Sequence, residues 1–153
     1  MKRLIMLTFA LSTIVVLLAA QAPVAIPASK LQWGPAPDAL PAGARMAVLN
    51  GDPGKAAPYA ITGTFPNGYV FLPHAHPADE NVVVISGTLL VGMGEAFSES
   101  SLVALPAGSY AFMPRGTRHF GRTKGETTIA VFGPGPFDVA YANPADDPRR
   151  KAK

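Results

Sequence analysis

The stretch GYVFLPHAHPADENVVVISG, residues 68–87, decides the fold. Two runs rich in β-branched and aromatic residues flank a histidine pair and a Pro77-Ala78-Asp79 turn, which reads as a hairpin. Residues i and i+2 of a strand point to the same face, so His74 and His76 project together. Glu80 opens the returning strand and leans back toward the same point. Gly87 lets that strand turn sharply into its partner. A second stretch, GSYAFMPRGTRH at residues 108–119, repeats the pattern. There Gly108 opens a strand, Pro114-Arg115-Gly116 turns it, and His119 starts the return. The chain contains 3 histidines, and all of them fall in these two stretches. Two hairpins facing across a barrel supply three imidazoles and one carboxylate, a mixed nitrogen and oxygen set that leaves metal coordination positions open.

Outward from these stretches, 16 prolines and 15 glycines cut the chain into short pieces, which argues against a helical bundle. Strand-type runs cover 44–50, 59–65, 69–73, 81–86, 88–92, 102–105, 109–113, 119–123 and 127–132. Turn signals separate them at Gly51-Asp52-Pro53-Gly54, Pro66-Asn67-Gly68, Ser86-Gly87 and Pro106-Ala107-Gly108. Residues 93–101 are the one segment open to a short helical turn. The spacing predicts an all-β fold, a single antiparallel sandwich or barrel. Residues 21–43 read as a proline-rich extended lead-in, 44–140 as the barrel, and 141–153 as a polar, basic, frayed tail.

The two stretches resemble the motifs of the cupin superfamily. Gly68, His74, His76, Glu80 and Gly87 match every fixed position of the first motif. Gly108, Pro114, Gly116 and His119 match the second, and Thr123 stands where that motif often has Asn. The resemblance implies a small double-sheet (jelly-roll) barrel with one divalent metal ion held by His74, His76, Glu80 and His119. Iron, manganese, nickel, zinc and copper all suit the donor set. It also allows dimerisation through barrel faces, which no motif requires.

The N-terminus has the form of an export signal. Lys2 and Arg3 precede an uncharged run from Leu4 to Ala20, with small residues at Ala19, Ala20 and Ala22. Cleavage after Ala20 is favoured over 22, because Pro23 follows Ala22; an uncleaved membrane anchor is the alternative. Export places the protein in the periplasm or outside the cell, without a stable membrane anchor once the signal is removed. The net charge of +3 is not a nucleic-acid signal. Residues 21–148 carry 7 basic and 10 acidic groups, and four basic residues crowd the last five positions. With no cysteine, disulfides, thiol nucleophiles and a lipoprotein anchor are excluded.

A complete ligand set with open positions favours a metal-dependent enzyme acting on a small organic molecule, of oxygenase (dioxygenase), lyase or isomerase type. The alternative is a non-catalytic barrel that binds or senses a metal or small ligand. Other candidates rest on position alone. Tyr59 and Tyr110 could present inward hydroxyls for acid or base work, against a plain core role. Arg115 and Arg118 could hold a substrate carboxylate at the barrel mouth, against solvated turn arginines. Asp79 and Asn81 flank Glu80 and could orient it, against turn and strand-end roles. By alternation Leu72 shares the face of the histidine pair, while Tyr69, Phe71 and Pro73 take the other face, and Phe120 lies opposite His119.

Overall fold

In the computed structural model, which describes residues 22–150, the alternating runs form nine strands. They are β1 (Gly34–Pro35), β2 (Arg45–Asn50), β3 (Pro58–Phe65), β4 (Val70–Ala75), β5 (Glu80–Met93), β6 (Val103–Pro106), β7 (Tyr110–Met113), β8 (His119–Pro134) and β9 (Ala140–Tyr141). Every pairing is antiparallel. The fold is the all-β double-sheet barrel that the sequence predicts. The proposed export signal, residues 1–20, lies outside the described residues.

Two long strands make the barrel. β5 and β8 pair with each other from Asn81↔Phe132 to Met93↔His119, and both change sheet halfway along. The first half of β5 pairs on its other side with β7, and the second half with β6. The second half of β8 pairs with β3, and its first half with β4. One layer therefore runs β1-β2-β3-β8-β5-β7 and the other β9-β4-β8-β5-β6. Sequence reading expects a separate strand on each side of both corners. The backbone instead continues through them, because paired neighbours carry the ladder around the bend.

The corner has a definite chemistry. Gly87 has φ 74°, a conformation that side chains with a Cβ rarely adopt, and a Cβ there would meet the Glu126 carbonyl. Register breaks on both sides of Ser86 shift the inward phase of β5 from Val82 and Val84 to Leu89 and Val91. A bulge of this kind bends a strand while keeping its apolar residues inside. Thr127 is fully buried beside the corner, where its hydroxyl lies 3.2 Å from the Thr88 N–H and from the carbonyls of Thr88 and Gly125. The core between the layers includes Tyr59, Ile61, Phe65, Val82, Val84, Leu89, Val91, Ile129 and Val131.

The C-terminal end differs from expectation. Residues 140–141 form β9 against His74 and Ala75 of β4. Tyr141 donates to Ala39 O at 2.7 Å, and Arg149 bonds back to Asp138, Val139 and Asp147. These bonds tie the segment to the barrel as far as residue 149, and residues 151–153 of the expected tail lie outside the described residues. The helical turn expected within 93–101 is a 3-10 turn at Glu99–Ser101.

Replacing Thr127 with Val keeps the shape and leaves the corner donor and acceptors without a partner. Thermal or urea denaturation is expected to show a loss of about 1–3 kcal/mol.

Candidate metal centre

His74 and His119 are register partners across β4 and β8, and their ring centroids are 4.3 Å apart. His76 lies just beyond the end of β4, with its ring 5.0 Å from His74 and 5.3 Å from His119. One ring nitrogen from each histidine falls within 4.8 Å of the others. Glu80 begins β5 and points back into the group. Its Oε1 is 3.3 Å from His76 Nε2 and its Oε2 is 3.5 Å from His119 Nε2. All four side chains are buried. The two turns that carry them are stitched together: Gly116 N donates to His76 O at 2.9 Å, and Arg115 N donates to Asp79 Oδ1 at 2.8 Å.

The hydrogen bonds determine which nitrogen faces inward. A backbone carbonyl can only accept, so each Nδ1 beside one carries the proton. Leu72 O lies 2.7 Å from His74 Nδ1, Asp138 O lies 2.7 Å from His76 Nδ1, and Thr117 O lies 3.0 Å from His119 Nδ1. The lone pairs are therefore on Nε2, and they converge with the Glu80 carboxylate. His76 Nε2 is buried and has no hydrogen-bond partner among the described residues, its near neighbour Glu80 Oε1 being another acceptor. Burial, followed by positive charge on His119 and His76, pushes His74 down to about 3, so it is neutral near pH 7. Burial acts to raise Glu80, but with the histidines protonated the hydrogen bond with His119 and the histidine charges outweigh it and hold the carboxyl below its ordinary value. With neutral rings that lowering is withdrawn, and a cation has to take its place. Neutral imidazole and ionised carboxylate are the protonation states a metal requires. A proton on His119 Nε2 would give Glu80 a donor, but it would create a buried imidazolium and leave His76 Nε2 unpaired. One divalent cation satisfies all four groups together, so the donor set fits a metal ion.

Two voids of about 50 Å³ each border the cluster. Met113, Leu89 and Val91 help to wall one, Leu40, Ile61 and Phe137 the other, and Phe71 and Ile129 face both. Glu80 is the one acidic residue in either wall, and neither wall contains a lysine or arginine.

The remaining candidates lie elsewhere. Tyr59 is buried in the core, edge-on to Phe137 at 6.0 Å, and lines neither void. Burial, aided by the charge of Glu80, pushes its hydroxyl up to about 12. Tyr110 is exposed on the outer face, where it donates to Asn81 Oδ1 at 2.7 Å, and Asn81 Nδ2 donates to Phe132 O at 3.0 Å. That pair braces the outside of the sheet, so an inward hydroxyl at Tyr110 and an orienting role for Asn81 are both corrected. Strand alternation puts the pair there, opposite Glu80 and Val82. Asp79 accepts from the Arg115 backbone and so holds the turn, not Glu80. The Arg115 side chain is exposed, and Arg118 Nη1 donates to Ala140 O at 2.7 Å, so neither faces the voids.

Phe71 is a further correction. A register break between Phe71 and His74 interrupts the alternation, and Phe71 points into the barrel together with Tyr69 and His74. Its ring packs 4.9 Å from Phe65 and 5.0 Å from Tyr69. Phe120 is buried under Phe97, with centroids 5.1 Å apart. Motif reading misses three contributors from beyond residue 136. Phe137 stacks on His76 at 5.3 Å, Asp138 O accepts from the same ring, and Tyr141 lies 6.1 Å from His74. No spacing in the sequence signals them, because they arrive by long-range pairing.

Thr123 has its own task. Its hydroxyl donates to Pro66 O at 2.6 Å and accepts from Tyr69 N at 2.9 Å, about 13 Å along β8 from His119. Thr123→Val is expected to lower stability by about 1–3 kcal/mol in denaturation experiments. Its metal content per chain, read by mass spectrometry, should match that of the parent protein.

The comparisons agree with the fold. No curated protein matches the chain in sequence. Among solved structures, the polyketide cyclase RemF from Streptomyces resistomycificus superposes with a TM-score of 0.68 at 16% identity, covering 83% of this chain and 90% of that one. KdgF from Halomonas sp. gives a TM-score of 0.58 at 19% identity, covering 74% and 96%. An RmlC-like cupin from Shewanella frigidimarina gives 0.57 at 18% identity, covering 72% and 89%. At these identities the likeness is one of fold alone. The model of the ChrR cupin-like domain matches residues 21–138, so the chain belongs to this family of the cupin superfamily.

Proposed function

We propose that this protein binds one divalent metal ion through Nε2 of His74, His76 and His119 and the carboxylate of Glu80, and acts as a metal-dependent enzyme on a small organic molecule. The observation that carries this reading is the buried meeting of four acceptors, with His76 Nε2 lacking any hydrogen-bond partner among the described residues. When bound, the ion supplies Lewis-acid or oxygen-activating chemistry. The chain's own residues hold the donors in their ligating protonation states and exclude bulk water with an apolar wall. Iron, manganese, nickel, zinc and copper remain compatible with the donor set.

The voids set the kind of molecule. A single water needs about 10–15 Å³ of such space, so each void of about 50 Å³ takes a small molecule or one small group of it. No cation faces the voids to pair with a remote carboxylate or phosphate. Any charge on the molecule must therefore sit on the atoms that reach the metal, and the remainder is apolar.

Mature protein purified in its native compartment should contain about one metal ion per chain by mass spectrometry, falling sharply in His76→Ala. Oxygen consumption and product formation are then screened over small phenols, ketones, lactones and monocarboxylic acids. Metal-loaded protein that is inert across this panel, yet binds members tightly, would replace the enzyme reading with a binding one. Folded, functional protein without metal would overturn both.

Export belongs to the same proposal. The intact mass of protein recovered from outside the cytoplasm should correspond to a chain starting at Gln21, and a full-length mass would favour the uncleaved anchor.

A further inference from the structure

The three histidines are not locked in the same way. His74 and His119 each bond a carbonyl two residues earlier in their own strand or turn, Leu72 O and Thr117 O. His76 relies on Asp138 O, 62 residues away. Its tautomer is therefore only as secure as the backbone at residues 138–139. Phe137 N donates to Pro53 O and Ala142 N to Pro73 O, so the ends of this segment are tied. Three successive carbonyls along it are gripped by side chains: residue 138 by His76, residue 139 by Arg149 Nη2 at 2.9 Å, and residue 140 by Arg118 Nη1 at 2.7 Å. Arg149 grips twice, because its Nη1 also donates to Asp138 Oδ1 at 3.0 Å, and that same oxygen caps Val139 N. Asp147 completes the fork by accepting from Arg149 Nε and Nη2. A planar guanidinium with donors on several edges suits such a multiple grip, and a lysine ammonium does not.

We propose that Arg149 is a positioning residue that holds the Asp138–Val139 backbone, so that Asp138 O keeps the His76 proton on Nδ1 and the His76 lone pair on the cluster. The competing tautomer is close at hand. If the Asp138 carbonyl turns away, a proton on Nε2 finds Glu80 Oε1 at 3.3 Å, and the ligand lone pair is lost. The inference deepens the metal-centre reading, but its primary test does not depend on it.

That test uses full mature protein, metal-free, with ¹⁵N-labelled histidine, and reads each ring's tautomer from long-range ¹H–¹⁵N correlations. In the parent protein all three rings should carry the proton on Nδ1. In Arg149→Ala the His76 signals should move toward the Nε2–H form, while those of His74 and His119 hold still. Arg149→Lys keeps the charge without the fork and should move His76 in the same direction, which secures the test if the alanine variant folds poorly. Zinc(II) titration of the same variants should show an affinity loss of about tenfold or more. Unchanged His76 signals in both variants, or a joint shift of all three histidines, would overturn the inference, as would unaltered zinc affinity. If the parent takes up no zinc, the metal reading fails, while a selective His76 shift still upholds the role of Arg149.

Discussion

Four hydrogen-bond acceptors share one buried space in this protein, and none of the described residues donates to His76 Nε2. Such a group costs free energy unless something positive comes to it. The surrounding architecture maintains that condition. Backbone carbonyls take up each Nδ1 proton, burial keeps His74 neutral, and the apolar walls keep competing donors away. An ordinary core would relax by turning a ring. Here the rings are fixed from behind, so the unmet demand is built in.

The barrel's two layers explain how the donors converge. β5 and β8 belong to both layers, so Glu80 on one layer and His119 on the other are placed by the same pair of bent strands. The corner at Gly87 and Thr127 therefore helps to set the site's geometry from its far end. The apolar rooms beside the cluster follow from the same construction, since alternation directs Val82, Leu89, Val91 and Ile129 inward. Glu80 is the one acidic residue in those walls, and neither wall contains a lysine or arginine.

Much of the fold was legible because its signals are local. Strand runs bounded by Gly and Pro lie within a few residues of the observed limits, and the 3-10 turn falls inside its expected segment. Errors arose where a local rule was interrupted. The register break after Phe71 reversed the facing of that ring, and the bulge at Ser86 let one strand run where two were expected. The outward facing of Tyr110 is not legible in the sequence for another reason: its partner Asn81 belongs to a different hairpin, and no spacing links them.

The sequence by itself determined which side chains gather at the centre. Histidines two apart, a carboxylate after a turn, and a third histidine at a matching turn are facts of local geometry, and strand periodicity converts them into a facing set. It determined the barrel class for the same reason. Only the tertiary structure decided how His76 is oriented, what walls the voids, and where Arg118 and Arg149 act. The orientation of His76, the contribution of Phe137 to one void, and the contacts of Arg118 and Arg149 depend on residues 137–150 returning across the barrel to β4, a contact made over more than 60 residues of chain and encoded in no repeat or spacing.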